Sequence, residues 1–386
     1  MGKMTPGDFY QDNRFMNMLS RLHSKTTFNH LLEFIVQNFK TYLPFERVGL
    51  ALVDEEGECI NNRKVIAERP FFYRGYEIPY NQTELDEIVK TGLPRVINNL
   101  EVYLEKNPHY LWPGQIFGGG VMASILLPLK VREKGVGVMF FCHSQANIYN
   151  QEHINFLRFV SPHITTVFEK TFLMRELALT TVMGLANLAE KRDLETGRHI
   201  KRIKYYSRAL AIELATHSIY KDEIDEEFIQ DIYDFSPLHD IGKVGISDAI
   251  LRKPGKLTPE EFEEMKKHTI IGKEILEAIE ENLKSKGFSF FKMGIEIVYS
   301  HQEKFDGSGY PAGLKGEEIP LSARLVSVCD VFDACSLERI YKEAYSLEEC
   351  YRIVEEGKGK HFDPIIVEAF MKIKDKIEGI YRRFKD

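Results

Sequence analysis

The sequence of 386 residues is short of several things. Its five cysteines, Cys59, Cys142, Cys329, Cys335 and Cys350, stand apart without CxxC spacing. An odd number without a pattern excludes a disulfide framework and reads as reduced thiols in a cytoplasmic protein. Basic charge is not in surplus: 51 Lys and Arg face 58 Asp and Glu, a net charge of −7. That excludes a coat for nucleic-acid polymers, which needs many phosphate contacts, and leaves room only for a local basic pocket. The opening MGKMTPGDFYQDN has no apolar stretch of signal-peptide length, and Pro6 breaks the myristoylation pattern after Gly2. The longest apolar run, near Val121 to Leu129, is too short to span a bilayer, so no membrane partner is expected. There is no internal repeat and no low-complexity segment. What remains is ordinary globular composition, 44% hydrophobic and 28% charged, at a length that suits two domains.

The predicted fold class is multidomain, α/β followed by all-α. In residues 1–165, RFMNMLSRLHSKTTFNHLLEFIVQNFKTYL has helical spacing. RVGLALVDEEG alternates and then turns, and MASILLPLKVREKGVGVMFFCH reads as two strands around a turn. Helical spacing returns from Gln151. This order of helix, strands, hairpin and closing helix resembles a GAF domain, a small-ligand sensor module, over roughly residues 14–170. Residues 166–190 read as one linker helix. Phe168, Phe172, Leu179, Val182 and Ala186 approximate a heptad seam interrupted by Arg175. Either this helix pairs with its twin in a homodimer or it packs on its own domain. Residues 191–386 are helical in pattern almost throughout, and TPEEFEEM opens one helix with Thr258 as cap and Pro259 in its first turn.

Imidazoles and carboxylates gather in that second half. His239 and Asp240 are adjacent in LHDIGK; His199, His268 and His301 have acidic neighbours; Asp330 sits in the apolar helix SVCDVFDA, where a carboxylate must be paired, exposed or metal-bound. On a helix, neighbours point about 100° apart, so His239 can bind one metal while Asp240 turns a carboxylate between two. Two ions held together can share a water and clamp a phosphate. Lys243, one turn after Asp240, can face the same cavity and neutralise phosphate or protonate a leaving oxygen. Glu195 lies four residues before His199. Asp333, one turn after Asp330, reads as solvated, and Asp363 as a helix cap rather than a catalyst.

The stretches LETGRHIKRI, LHDIGKVGISDAILRKPGKLTPEEFEEMKKH, HQEKFDGSGYPAGLKGEEIPLSARLVSVCDVFDA, ERIYKEAYSLEEC and GKHFDP together resemble the HD-GYP family of HD-domain metal-dependent phosphohydrolases. The resemblance implies hydrolysis of cyclic di-GMP to linear pGpG and on to GMP, with Asp240 and Lys243 catalytic. By matching position, one divalent ion takes His199, His239, Asp240 and Asp330. A second shares Asp240 and takes His268 and His301. Glu195 matches the ligand of a third. Two or three ions are therefore expected, iron first and manganese second. Asp193, Lys243, Tyr310, Arg339 and Lys342 match substrate-contacting positions. One residue departs: Gln302 follows His301 where the family has a second histidine. As a metal ligand its amide oxygen is weaker than imidazole, so the second ion is held loosely, takes an extra water, or is absent. The alternative expectation is therefore a weak or inactive member that serves as a cyclic di-GMP receptor.

Overall fold

The computed structural model describes residues 13–24, 27–53, 59–67, 77–79, 87–88, 91–108, 120–132, 134–192, 197–336 and 345–385. The chain divides into two compact units, Met1–Glu176 and Leu177–Asp386.

In the first unit α1 (Asn13–His23) and α2 (Phe28–Phe39) precede β1 (Arg47–Val53), β2 (Cys59–Ala67), β3 (Glu77–Pro79), β4 (Arg95–Ile97), α3 (Leu100–Lys106), β5 (Ala123–Val131) and β6 (Lys134–His143). The run of helical spacing from Arg14 to Leu43 is two helices: the Thr27 hydroxyl accepts from the His30 N–H and starts α2 anew. The strands form one sheet, β3-β2-β1-β6-β5-β4, with every pairing antiparallel. Its two faces follow the period of two. Met139 and Phe141 pack with Leu31, Ile35, Phe156 and Phe168 on one side, while Val138, Phe140 and Cys142 pack with Ile97 and Leu100 on the other.

The unit boundary falls inside α4 (Gln151–Arg192), one helix of 42 residues. The expected heptad seam is not exposed for a twin: Phe168, Val182 and Ala186 are buried within the chain. The exposed apolar side chains are others, Leu173, Leu177, Leu185 and Leu188. By length and composition α4 could also cross a membrane, a property that a search for an uninterrupted apolar run passes over.

The second unit is helical: α5 (Gly197–His217), α6 (Glu226–Phe235), α7 (Asp248–Leu251), α8 (Pro259–Ser285), α9 (Lys292–Ser300), α10 (Leu321–Ser336), α11 (Leu347–Glu356), α12 (Pro364–Lys372) and α13 (Lys374–Arg383). Thr258 and Glu261 close a capping box at the start of α8. Asp363 caps α12 by accepting from the Ile365 N–H. It is also the buried partner of Arg324 (2.5 Å) and accepts from the Tyr220 hydroxyl (2.7 Å).

That second role sets an expected outcome. Asp363→Ala leaves Arg324 buried and uncompensated, so the loss should be about 3–5 kcal/mol rather than the ~1 kcal/mol of a missing cap. Denaturant unfolding of the variant measures it, and a loss near the lower figure would show that the ion pair is not the main term.

Candidate metal centre

His239 and Asp240 are not on an α-helix. They lie between two short 3-10 turns, Ser236–Leu238 and Ile241–Gly245, and Asp240 adopts φ −103°, ψ 10°, the sparsely used bridge region. The side chains therefore diverge as in a tighter winding than the 100° of an α-helix. Gly242 and Gly272 let this turn touch α8. A Cβ on Gly242 would stand 1.8 Å from the His268 carbonyl oxygen and 2.5 Å from the Gly272 nitrogen. Only a bare backbone allows Asp240 to come so close to His268.

Six side chains from five places in the sequence form two groups: His199, His239 and Asp330, then Asp240, His268 and His301. In each group the potential ligand atoms lie within 4.8 Å of one another. In the first, His199 Nε2 is 3.5 Å from His239 Nε2, and Asp330 Oδ1 is 3.8 and 3.6 Å from those two atoms. In the second, His268 Nε2 is 3.4 Å from His301 Nε2, and Asp240 Oδ1 lies 3.4 and 3.7 Å from them. Asp240 also joins the groups, since its Oδ2 is 3.3 Å from His239 Nε2.

The other ring nitrogen of every imidazole is tied to an oxygen. His239 Nδ1 donates to the Ser236 carbonyl (3.0 Å) and His268 Nδ1 to Met265 (2.8 Å). His301 Nδ1 is shared between the carbonyls of Ile297 and Val298, 3.2 Å each. His199 Nδ1 donates to Asp333 Oδ2 (2.7 Å). Each Nε2 thus presents a lone pair to its neighbour. Such pairs need something electron-poor, a proton or a metal ion.

The electrostatics agree. Burial disfavours charge on His239, but the Asp240 and Asp330 carboxylates outweigh it and raise its pKa well above the ordinary value. Burial also disfavours the Asp240 carboxylate, yet Lys243 and His239 hold it well below the usual range; burial opposes the Asp330 carboxylate too, and His239 outweighs it and holds that pKa below the usual range. Burial pushes His268 down to about 4, so its lone pair is unprotonated at neutral pH. Among the described residues nothing donates a hydrogen bond to the buried Asp240 Oδ1. A carboxylate oxygen so placed, facing two imidazole nitrogens and with no thiolate in either group of described residues, fits a divalent ion with mixed N/O ligands.

Lys243 Nζ donates to Asp240 Oδ2 (2.8 Å). The Tyr310 ring lies 6.3 Å from that of His268, and the Tyr310 N–H donates to the Gln302 carbonyl (3.3 Å). Burial and the Asp240 and Asp330 carboxylates push the Tyr310 hydroxyl up, keeping it protonated. Asp193, Glu195, Arg339 and Lys342 lie outside the described residues.

The roles of two residues, Asp333 and Arg202, escaped the sequence reading, and Glu303, next to Gln302 and a candidate substitute ligand by sequence, has another role. Asp333 is not solvated: it is fully buried, accepts from His199 and binds Arg202 through both oxygens (2.7 and 3.1 Å). Its spacing of three from Asp330 and that of Arg202 from His199 were the available signals. Glu303 points away from any ligand role: its carboxylate accepts from the N–H groups of Ala312 (2.7 Å), Gly313 (3.1 Å) and Leu314 (3.1 Å). It pins the loop that carries Tyr310, whose Gly309 packs where a Cβ would stand 2.3 Å from the Lys304 nitrogen.

Gly242→Ala tests how the two groups are brought together. It should destabilise by roughly 1–3 kcal/mol through overpacking and lower bound metal, read by unfolding and elemental analysis. Parent-like values in both would show that the close crossing does not place Asp240.

Known proteins supply the context. Residues 27–167 match the GAF domain and residues 185–366 the HD domain, a fold that works with divalent metal. A probable cyclic di-GMP phosphodiesterase of Vibrio cholerae is 45% identical over 222 residues, 58% of this chain and 50% of that protein. A cyclic di-GMP phosphodiesterase of Thermotoga maritima is 44% identical over 219 residues, 56% of this chain and 55% of that protein. A 3′3′-cGAMP-specific phosphodiesterase of Vibrio cholerae is 34% identical over 276 residues, 68% of this chain and 50% of that protein. The chain spans about half the length of these relatives. It carries a GAF domain followed by an HD domain.

Proposed function

We propose that the protein is a cyclic di-GMP phosphodiesterase of the HD-GYP type. The observation that carries the reading is Asp240, whose orphaned oxygen faces one histidine pair while its other oxygen approaches the second. The relatives' names supply the substrate class. His199, His239 and Asp330 hold one ion, His268 and His301 another, and Asp240 serves both. Ions so held acidify water and offset phosphoryl charge. Iron is the first choice and manganese the second, because the donors are N and O. Glu195 is assigned to a third ion and Gln302 to a weak ligand beside His301. Lys243, held by Asp240, donates the proton that the departing 3′ oxygen needs. Tyr310, Asp193, Arg339 and Lys342 contact the dinucleotide. We further assign residues 1–165 to the sensor, 166–190 to the linker and 191–386 to the hydrolase. The buried thiols Cys142 and Cys329, in no disulfide among the described residues, support a cytoplasmic setting.

One observation favours a second reading. Gln302 stands beside His301, and a loosely held second ion would leave a receptor that binds cyclic di-GMP without cutting it. An anaerobic assay with manganese or ferrous iron, offered cyclic di-GMP and 3′3′-cGAMP, separates the two. We expect linear pGpG from cyclic di-GMP. Asp240→Ala should lose both metal and turnover, and Lys243→Met should lower kcat by about 10²–10⁴-fold. Metal-replete protein that binds the dinucleotide and yields no product establishes the receptor.

The same proposal includes a homodimer through α4. Leu173, Leu177 and Leu188 are exposed and fall within about 60° of one helix face. Pairing of this face with a second copy would bury it and carry the state of the GAF domain to the hydrolase. Leu177→Glu with Leu188→Glu should turn dimer into monomer by light scattering and change the hydrolysis rate. A parent that is already monomeric, or a variant unchanged in both mass and rate, removes this part.

A further inference from the structure

Arg202 lies one turn beyond His199 on α5 and is fully buried. Its Nε and Nη2 donate to the two oxygens of Asp333, at 2.7 and 3.1 Å. Its Nη1 donates to the main-chain carbonyl of Phe384 (2.8 Å), 182 residues downstream. Asp333 accepts from His199 Nδ1 at 2.7 Å. A hydrogen-bonded chain thus runs from a carbonyl just past α13 to the ring of a candidate ligand.

The downstream segment is held against α5 by more than this bond. The Phe384 ring stacks on Tyr205 at 5.1 Å and 23°, and the Arg383 guanidinium lies 5.5 Å from the Tyr205 ring centre. Arg198 donates to the Lys385 carbonyl, and Ile377 on α13 is fully buried. The segment lies beyond residues 185–366, which match the HD domain.

His199 is therefore held differently from the other three imidazoles. His239, His268 and His301 bond to carbonyls within their own helical turns. His199 takes its orientation from Asp333, and Asp333 takes its own from Arg202. Without the Phe384 carbonyl, Arg202 would lose this buried hydrogen bond, one of those that fix the Arg202–Asp333 pair.

We infer that the segment Lys374–Lys385 fixes the His199 half of the centre through Arg202 and Asp333. Loss of this tether should release the ion held by His199, His239 and Asp330 and spare the one held by Asp240, His268 and His301. The inference rests on the two-ion reading proposed above. Arg202 and Asp333 are positioning residues in it.

The test is manganese binding to the full chain, followed by elemental stoichiometry, titration and electron paramagnetic resonance. Truncation after Arg383 removes the Phe384 carbonyl and keeps Arg202 and Asp333. One equivalent should weaken by about tenfold or more, the size seen when a ligand's outer partner is removed. The other should stay, and the spectrum of a coupled pair should give way to that of a single ion. Arg202→Lys keeps a cation beside Asp333 but lacks the second arm, and should show the same selective loss. It carries the test if the truncated chain fails to fold by circular dichroism. Two equivalents at parent affinity with an unchanged spectrum overturn the tether, and so does equal loss of both. A parent that binds neither manganese nor, anaerobically, ferrous iron overturns the metal reading and the tether with it.

Discussion

An imidazole has two nitrogens, and fixing one decides what the other can do. Here four rings are anchored through Nδ1 to oxygens, so four Nε2 atoms converge in two close pairs inside a buried site. Two facing lone pairs repel, and a low-dielectric interior leaves no water to relieve them. Asp240 and Asp330 add negative charge beside them. The whole second unit is compatible with this only if positive charge completes it. Much of the anchoring comes from the helices themselves. His301 caps α9: its backbone N–H donates to the Ile297 carbonyl, and its Nδ1 turns back to that carbonyl and to the one of Val298.

Anchoring fixes directions; close approach fixes distances. The glycines of LHDIGK and HTIIGK belong to one contact, since Gly242 and Gly272 meet where side chains would collide. Gly309 performs the same service for the loop bearing Tyr310, which lies on the backbone of Glu303 and Lys304. Glu303 then locks that loop through three main-chain N–H groups. A buried carboxylate satisfied this way is rigid and holds the loop in one arrangement.

Much of this was legible in the sequence, for physical reasons. Sheet faces obey a period of two, so β5 and β6 could be read from MASILLPLKVREKGVGVMFFCH. The capping box at Thr258 is local chemistry, and so is the cap at Asp363. What failed depends on neighbours distant in sequence. Asp333 looks like any exposed acid until Arg202 and His199 are placed against it. The seam on α4 was assigned by period alone, and period does not say which apolar face the chain itself will cover. The break between α1 and α2 turns on one hydroxyl, Thr27, within an otherwise continuous pattern. The His-Asp pair was placed on an α-helix, whereas the Pro237 turn and the bare Gly242 favour the tighter winding seen.

The two halves of the centre are unequal, and the inequality has a direction. The His199 half has Asp330 within 4 Å of both its imidazoles, Asp240 beside His239, and Asp333 behind His199. Among the described residues the His268 half has only Asp240 as a carboxylate ligand, and its charge is partly offset by the Lys243 ammonium at 2.8 Å. Gln302, an uncharged amide, follows His301 in sequence there. On Coulombic grounds the first half attracts a divalent cation more strongly. Lys243 belongs to the same balance: a divalent cation bound beside Asp240 would compete with the ammonium for that carboxylate, whose Oδ2 the Lys243 Nζ approaches at 2.8 Å.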